Sequence, residues 1–434
     1  MGGLKGNSKW YWFFILQVLL VSNQVRAAKG INHGHEEKKG HIHGVHKECP
    51  LPKGQNDIVE CALDFHPAVK RGLLRVESLD HLEEQASQIP NPTLSSRYVV
   101  GKESGQDTSE LEANLSFTLE LGAKRGSRTE YARARKSEAE ATNLATKAEV
   151  KIATILNMHR LRQVLSEKKL LVEALSAFNK VIGQLKKLPR LSAEQIASLT
   201  LFEMALEETK INKSELFAKE RKLEHYFHIA TGHSVDEIID FLPKSPDRWP
   251  TILKEGKLNS PKVTKLRSLA DLAQSGVEIE KAKAWPNLRI GPSFAIEKDG
   301  RSENKMIGLN IQLPLPLFQV NGGGKAYARS ELLRAQKSVI LTLEEEGHER
   351  YEQQRVYESA VDILKETMKQ SVVESKHKRV EKLYLRGVVS SSVLLESLKQ
   401  KLSYLKSRNL RELTAIEALW SIRKYDGQIF KETL

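Results

Sequence analysis

Five histidines near the N-terminus are the side chains of this sequence best suited to metal chemistry. They lie in a polar stretch rich in Gly, Lys and Glu: His33, His35, His41, His43 and His46. Imidazoles at i, i+2 spacing on a mobile backbone can converge on Zn, Cu, Ni or Co ions. This composition cannot form a packed core, so residues 29–56 are predicted to be a flexible tail. Transition-metal binding is one interpretation, and a disordered tail without a metal role is the other.

The chain has two cysteines, Cys49 and Cys61. In an exported protein they can pair as one disulfide, which would close a short loop. The sequence leaves the disulfide and the free thiols as alternatives. Neither cysteine has a catalytic arrangement of residues around it.

The stretch Gly322-Gly323-Gly324-Lys325 resembles part of a phosphate-binding loop. Such a loop requires a leading glycine at a fixed spacing and a Ser or Thr after the lysine, and both are missing here. We find no catalytic constellation elsewhere in the sequence. The prediction is therefore a protein that is not an enzyme and requires no cofactor.

The net charge is +13, from 68 Lys and Arg against 55 Asp and Glu. A basic excess is typical of nucleic-acid binding. Here, however, the basic residues alternate with glutamates along helical stretches and form no compact block. We expect solvated helix faces and no nucleic-acid partner.

Residues 1–28 have the pattern of a secretory signal peptide. Lys5 and Lys9 precede an apolar run from Trp10 to Leu20, and Val25-Arg26-Ala27 offers a cleavage site. The run is too short to span a bilayer. We therefore expect an exported protein. No later segment is apolar enough for a transmembrane helix, so entry into a membrane would require a β-barrel.

The stretch from Met306 to Gly324 is the most informative for the fold. Apolar residues occupy the odd positions from Ile307 to Leu317, and polar or small residues lie between them as far as Gln312. This period of two predicts a strand with one apolar face. Prolines then interrupt ladder pairing, glycines form a turn, and a helical pattern begins at Lys325. The predicted strand-to-helix neck comprises Pro314, Pro316, Gly322, Gly323 and Gly324.

The second half of the chain repeats the first. Trp285-Pro286-Asn287 matches Ile89-Pro90-Asn91, and Tyr327-Ala328-Arg329 matches Tyr131-Ala132-Arg133, both at an offset of 196 residues. A constant offset across several elements indicates an internal duplication. Each half is a short helix, a β-hairpin, and two long helices with coiled-coil seams joined at a tip.

The duplication defines the predicted domains. The first repeat covers residues 57–232, with strands at about 93–101 and 111–121, and its short helix is expected to run from Asp57 to Gln88. The second repeat covers residues 259–426, with strands at about 287–297 and 305–318, and its first long helix is expected from Lys325 to about Arg386. Residues 233–258 form a Pro-containing linker, and residues 427–434 form a C-terminal tail.

Two hairpins supply four strands, which cannot close a transmembrane barrel alone. Long helices with narrow apolar seams also need partners. Both features predict an oligomer in which each chain contributes part of one barrel. Cyclic symmetry would then remove the edge strands.

With this plan, the chain resembles the TolC-like outer membrane efflux protein family over nearly all of residues 57–425. The resemblance rests on the duplication, on Leu313-Pro314-Leu315-Pro316-Leu317-Phe318 with its Gly-rich neck, and on Tyr384-Leu385-Arg386-Gly387-Val388-Val389-Ser390 before a Leu-rich helix. The strand-and-neck element is most similar to the CzcC-type subgroup, which serves heavy-metal efflux. The first repeat lacks the prolines, since Leu119 to Lys124 has none, as is usual for that repeat.

The resemblance implies a mainly α fold with a β-barrel part. A homotrimer would form a 12-stranded outer membrane β-barrel on a periplasmic α-helical coiled-coil barrel in a Gram-negative bacterium. The channel would be the passive exit duct of a tripartite system, with a periplasmic adaptor (membrane fusion protein) and an inner-membrane RND-type pump. The helix tips would form the adaptor contact or gate: Leu188, Pro189, Arg190, Arg386, Gly387, Val388 and Ser390.

Three functions remain open from the sequence. The first is a channel for heavy-metal cations, which the His-rich tail favours. The second is the same channel serving drug efflux or type I protein secretion. The third is a soluble periplasmic coiled-coil scaffold, because aromatic residues at the expected membrane interfaces are few.

Overall fold

The computed structural model describes residues 49–103, 105–253, 256–300 and 302–434. The predicted signal peptide and the five histidines between His33 and His46 lie outside these residues. The described part of the chain is mainly helical. None of its helices combines the length and the apolar composition needed to cross a membrane.

The helices and strands follow the duplicated order expected from the sequence. The helices are α1 (Gln55–Phe65), α2 (Pro67–Ser87), α3 (Lys124–Lys186), α4 (Ala193–Thr231), α5 (Val235–Ile238), α6 (Pro261–Lys283), α7 (Gly322–Glu366), α8 (Gln370–Leu385) and α9 (Ser391–Tyr425). A 3₁₀ turn at Ile239–Phe241 follows α5. The strands are β1 (Thr93–Glu103), β2 (Gln106–Glu120), β3 (Asn287–Asp299) and β4 (Ser302–Gln312).

The two hairpins form one antiparallel sheet in the order β1-β2-β3-β4. Strands β2 and β3 join the repeats, with Phe117 opposite Ile290. β2 begins at Gln106, earlier than expected, because Gly105 at φ 86° allows a tight turn. Within the described residues, β1 and β4 each pair on one side only, so the sheet has two open edges.

The fourth strand is shorter than predicted. The alternation in the sequence predicts a strand to about residue 318, but β4 ends at Gln312. Pro314 and Pro316 have no N–H to donate to a neighbouring strand, so the ladder stops before them. The segment that follows is exposed, and the side chain of Phe318 is 100% exposed.

The helix after this segment also begins earlier than predicted. The sequence predicts that the three glycines form the turn, but Gly322 to Gly324 are the first turn of α7. The turn is made instead by Asn321, which adopts a left-handed conformation at φ 53°. Its side-chain amide donates to the backbone oxygen of Glu280 (2.9 Å) and to its Oε2 (2.7 Å). This contact fixes the neck against α6.

Two helices predicted to be continuous are broken. The first break lies at His66, because the residue before Pro67 is disfavoured in the α conformation. The second lies between α7 and α8, where Thr367 is extended. There the Arg408 guanidinium donates to Leu364 O (3.2 Å) and Thr367 Oγ1 (2.8 Å), and the Tyr404 hydroxyl donates to Met368 O. Side chains of α9 thus satisfy backbone oxygens that the break releases.

The predicted linker, residues 233–258, is packed on the helices rather than extended between repeats. Ile238 is fully buried in the main core cluster. The Tyr357 hydroxyl donates to Pro250 O at 2.7 Å, and the Trp249 and Tyr357 rings lie 6.1 Å apart. The C-terminal tail also returns to this core, where Ile429 is buried.

Gly291 in β3 is required by close backbone contact. A Cβ there would lie 1.8 Å from Leu115 O. We therefore expect Gly291→Ala to lower the free energy of unfolding by about 1–3 kcal/mol, as over-packing does. At Gly101 in the same sheet, a Cβ would lie 3.5 Å from Thr108 Oγ1, so Gly101→Ala is the matched control. Equal melting temperatures for the two variants would contradict this expectation.

Candidate functional site

The sheet has one apolar and one polar face. Residues opposite each other in a ladder point to the same side, and the registers place apolar residues of all four strands on one side. This apolar face consists of Leu94, Tyr98, Val100, Leu111, Leu115, Phe117, Ile290, Phe294, Ile296, Ile307, Leu309 and Ile311. The other side carries Arg97, Glu112, Asn114, Thr118, Arg289, Ser293, Asn310 and Gln312.

The apolar face is not covered by the described helices. Ile307 is 86% exposed, and Leu94, Tyr98 and Leu309 are also exposed. A contiguous exposed apolar surface of this kind is typical of contact with lipid or with another protein chain. The exposed segment from Leu313 to Val320, which contains the neck prolines, continues it toward α7.

In both repeats, specific contacts hold the junction between the hairpin and the following long helix. In the first repeat, Ala123 at φ 58° precedes α3, as Asn321 precedes α7. The Arg128 guanidinium donates from Nη2 to Glu120 Oε2 at 3.0 Å and so ties the start of α3 to the end of β2. The sequence pattern predicts the proline-containing neck but not these cap residues. An Asn before a Gly-rich helix start would have been a usable signal, whereas Ala123 offers none.

The predicted tip residues lie in two exposed turns. One connects α3 to α4 and contains Leu188, Pro189 and Arg190; the other connects α8 to α9 and contains Arg386, Gly387, Val388 and Ser390. Gly387 adopts a left-handed conformation at φ 71°, and Val388 N donates to Leu383 O at 3.0 Å. Together they form the C-terminal cap of α8. One core cluster, which includes Phe178, Phe202 and Leu394, adjoins both turns. The fold therefore brings the two tips to the same end of the helices.

The tips are basic. The exposed cations around the two turns are Lys186, Lys187, Arg190, Lys376, Lys378, Arg379, Lys382 and Arg386. Lys186 pairs with Glu203 at 2.7 Å, and Lys378 pairs with Glu374 at 3.0 Å. Among the described residues, the other six cations have no carboxylate within ion-pair distance, and three of them, Lys187, Arg190 and Arg386, lie at the turns themselves. These three charges are available to an acidic partner.

A buried polar cluster that the sequence analysis did not identify joins the packed linker to the long helices. Glu412 of α9 is 4% exposed. It pairs with Arg162 of α3, accepts a hydrogen bond from Ser245 Oγ at 2.7 Å, and lies 3.7 Å from His159 Nδ1. The apolar seam of α9 advances by four and three residues through Leu405, Asn409, Glu412 and Ile416. Two polar residues at seam positions are the feature of the sequence that could have predicted this buried cluster.

The protonation states in this cluster follow from burial and charge. Burial alone would raise the pKa of Glu412, but the contacts with His159, Arg162 and Ser245 outweigh it and lower the pKa to about 2. Burial lowers the pKa of His159, and the nearby Arg162 charge lowers it further. At neutral pH the cluster therefore contains an ionised carboxylate, a guanidinium and a neutral imidazole.

The described residues also include one set of possible metal ligands near the N-terminus. Cys49 and Cys61 are joined by a disulfide. The sulfur atoms of these cysteines and a ring nitrogen of His233 all lie within 4.8 Å of one another. His233 belongs to the segment predicted as a linker. The sequence does not predict that it lies near the two cysteines, because only the fold brings these distant residues together.

The comparisons with known proteins agree with this architecture. No protein-family model matches the chain. It is 22% identical over 264 residues to the cobalt-zinc-cadmium resistance protein CzcC of Cupriavidus metallidurans. The match covers 59% of this chain and 61% of that protein, so less than two thirds of the relative is represented.

Solved structures give a more extensive match. A membrane protein from Pseudomonas aeruginosa has a TM-score of 0.65 at 14% identity, covering 87% of this chain and 91% of that one. The Campylobacter jejuni CmeC outer membrane channel has a TM-score of 0.64 at 15% identity, covering 87% and 86%. Together with the similarity to CzcC, these matches confirm the resemblance seen in the sequence: the chain has the mainly helical fold of the TolC-like outer membrane channels.

Proposed function

We propose that the protein is the outer membrane channel of a tripartite efflux system in a Gram-negative bacterium. It would act as a passive exit duct and not as an enzyme. One observation carries this proposal: a four-stranded sheet with an exposed apolar face and two open edges continues through fixed necks into long helices. Alternating apolar and polar faces are typical of strands that contact lipid on one side and water on the other.

A homotrimer would satisfy both open edges. Strand β4 of one chain would pair with β1 of the next, and three such sheets would give a 12-stranded barrel with no free edge. The helices of the three chains would surround a periplasmic duct below it. The apolar face would then contact outer membrane lipid, and the polar face would line the pore.

Heavy-metal cations are the substrates that we propose. CzcC, a relative with 22% identity over 264 residues, is named for resistance to cobalt, zinc and cadmium. The His-rich segment from His33 to His46 offers imidazole ligands of the kind these metals accept, although no such binding is required for a passive duct.

The energy for transport would come from an inner-membrane RND-type pump, connected through a periplasmic adaptor. The basic tips support an adaptor contact at this end, because Lys187, Arg190 and Arg386 are exposed and can pair with acidic side chains.

The tip proposal predicts the effect of charge reversal. The double variant Arg190→Glu and Arg386→Glu should bind the adaptor at least about tenfold more weakly, with greater loss at low ionic strength. Lys213→Glu, at an exposed position of α4 away from the tips, is the matched control. Binding is measured with purified channel and adaptor. Equal affinities for the two variants would exclude an electrostatic tip contact.

Deletion of the gene tests the substrate. A deletion strain should accumulate Zn, Co or Cd and lose resistance to them, and the complemented strain should recover. Drug accumulation should be unchanged. A strain that accumulates drugs or retains secreted polypeptides, but handles every metal normally, would support the second function. Recovery of the protein in the soluble periplasm without detergent would support the scaffold instead.

A further inference from the structure

Three potential metal ligands meet where the first described residues pack against the end of α4. Cys49 is 8% exposed, and Cys61 and His233 are each 5% exposed. Their ligand atoms lie within 4.8 Å of one another. The residues are separated by up to 184 positions in sequence (233 − 49 = 184), so the fold alone assembles them.

Cys61 and His233 are positioned by different elements. Cys61 lies on the buried side of α1, beside Ile58 and Ala62. His233 follows Gly232, which ends α4 at φ 80° and reverses the chain. His233 N donates to Thr231 Oγ1 at 3.2 Å, which stabilises this turn.

Both nitrogens of the His233 imidazole face oxygen atoms. Nε2 lies 3.3 Å from Pro50 O, and so it faces the residue next to Cys49. Nδ1 lies 3.6 Å from Glu237 Oε2. That carboxylate is itself fixed, because it accepts hydrogen bonds from Ser234 N (2.7 Å) and Ser234 Oγ (2.9 Å). A carboxylate behind one ring nitrogen is the usual arrangement that orients a metal-binding histidine, and Nε2 must exchange the Pro50 carbonyl for the ion.

We propose that Cys49, Cys61 and His233 form a binding site for a thiophilic cation such as Zn²⁺, Cd²⁺ or Cu⁺ when the disulfide is reduced. Two thiolates and an imidazole match the preferences of these cations. Ligands around such an ion lie about 4 Å apart, and these three ligand atoms already lie within 4.8 Å of one another. Three protein ligands leave one coordination position for water or another donor.

The disulfide form converts to the metal-binding form by thiol–disulfide exchange. An external dithiol transfers two electrons and two protons to the two sulfurs, breaks their bond, and becomes a disulfide itself. Binding of the cation then releases the two thiol protons to solvent. The disulfide and the metal-bound form exclude each other, and both link residue 49 to α1. This proposal does not depend on the proposed channel function.

Cadmium titration of the full chain tests the site. The protein is reduced with a phosphine under anaerobic conditions, freed of reductant, and titrated with Cd²⁺ while the ultraviolet thiolate-to-cadmium charge-transfer band is recorded. Because the chain has 2 cysteines, this band reports only the proposed site, whereas cadmium bound by histidines alone gives no such band. The reduced protein should saturate at one ion per chain, and the disulfide form should show no band.

The role of His233 is tested with His233→Gln, whose amide can still donate to the Pro50 carbonyl. This variant should bind cadmium at least about tenfold more weakly, while His225→Gln, at an exposed position of α4, should match the unaltered protein. Independently of any variant, X-ray absorption of the Zn²⁺-loaded reduced protein should show both sulfur and nitrogen ligands. Absence of the band, sulfur-only coordination, or equal affinity for His233→Gln would overturn the proposal.

Discussion

Ile307→Arg is expected to prevent stable insertion of the protein into the outer membrane. Ile307 lies near the middle of β4 on the apolar face and is 86% exposed within one chain. If this face contacts lipid, a charged side chain there costs about 2–4 kcal/mol per chain at the bilayer midplane. In a trimer the cost would occur three times in one barrel. The measurement is the fraction of protein recovered as trimer from outer membrane preparations.

Asn310→Arg is the matched control for this variant. Asn310 is also exposed and lies on the same strand, but its side chain belongs to the polar face. In the proposed trimer this face lines the water-filled pore, where a charge changes selectivity more than stability. Insertion should therefore be nearly normal. If both variants accumulate equally in the outer membrane, the apolar face is not the lipid-facing surface.

Glu412→Gln is expected to lower the free energy of unfolding by about 3 kcal/mol at neutral pH. Removing one partner of a buried ion pair leaves the other charge uncompensated, and Arg162 would lose its carboxylate. The depressed pKa of Glu412, about 2, corresponds to a stabilisation of the same order. Denaturant unfolding of the purified protein measures the difference. Glu417→Gln, at an exposed position of the same helix, should change the free energy by less than about 0.5 kcal/mol.

The pH dependence follows from the same group. Because the folded pKa of Glu412 lies below its ordinary value, its contribution is fully present above about pH 4.5 and is lost as the pH falls toward 2. His159 acts in the same direction, since its lowered pKa makes protonation favour the unfolded chain as the pH falls. The stability difference between the unaltered protein and Glu412→Gln should therefore shrink steadily below pH 4.5. A difference that grows on acidification would contradict the assignment.

Much of the fold is encoded in local patterns. The period of two from Ile307 to Ile311 predicts β4, and the 196-residue offset predicts that its hairpin has a copy in the first repeat. Both are properties of neighbouring residues, which decide side-chain direction on a strand without help from the rest of the chain. Pro314 and Pro316 likewise end strand pairing by their covalent structure. The exposed tips follow from helix-breaking residues at the ends of apolar seams.

Other features depend on contacts between distant residues. The break between α7 and α8 is stabilised by Arg408 and Tyr404 of α9, which no pattern within the broken helix reveals. The packed linker is joined to α9 by the contact of Ser245 with Glu412, and the cluster of Cys49, Cys61 and His233 depends on the turn at the end of α4. Periodicity and the positions of Pro and Gly encode the strands, the helices and the duplication, because these features depend on neighbouring residues. The helix breaks and the contacts between polar side chains arise only on folding, because burial and hydrogen bonding act between segments that lie far apart in the sequence.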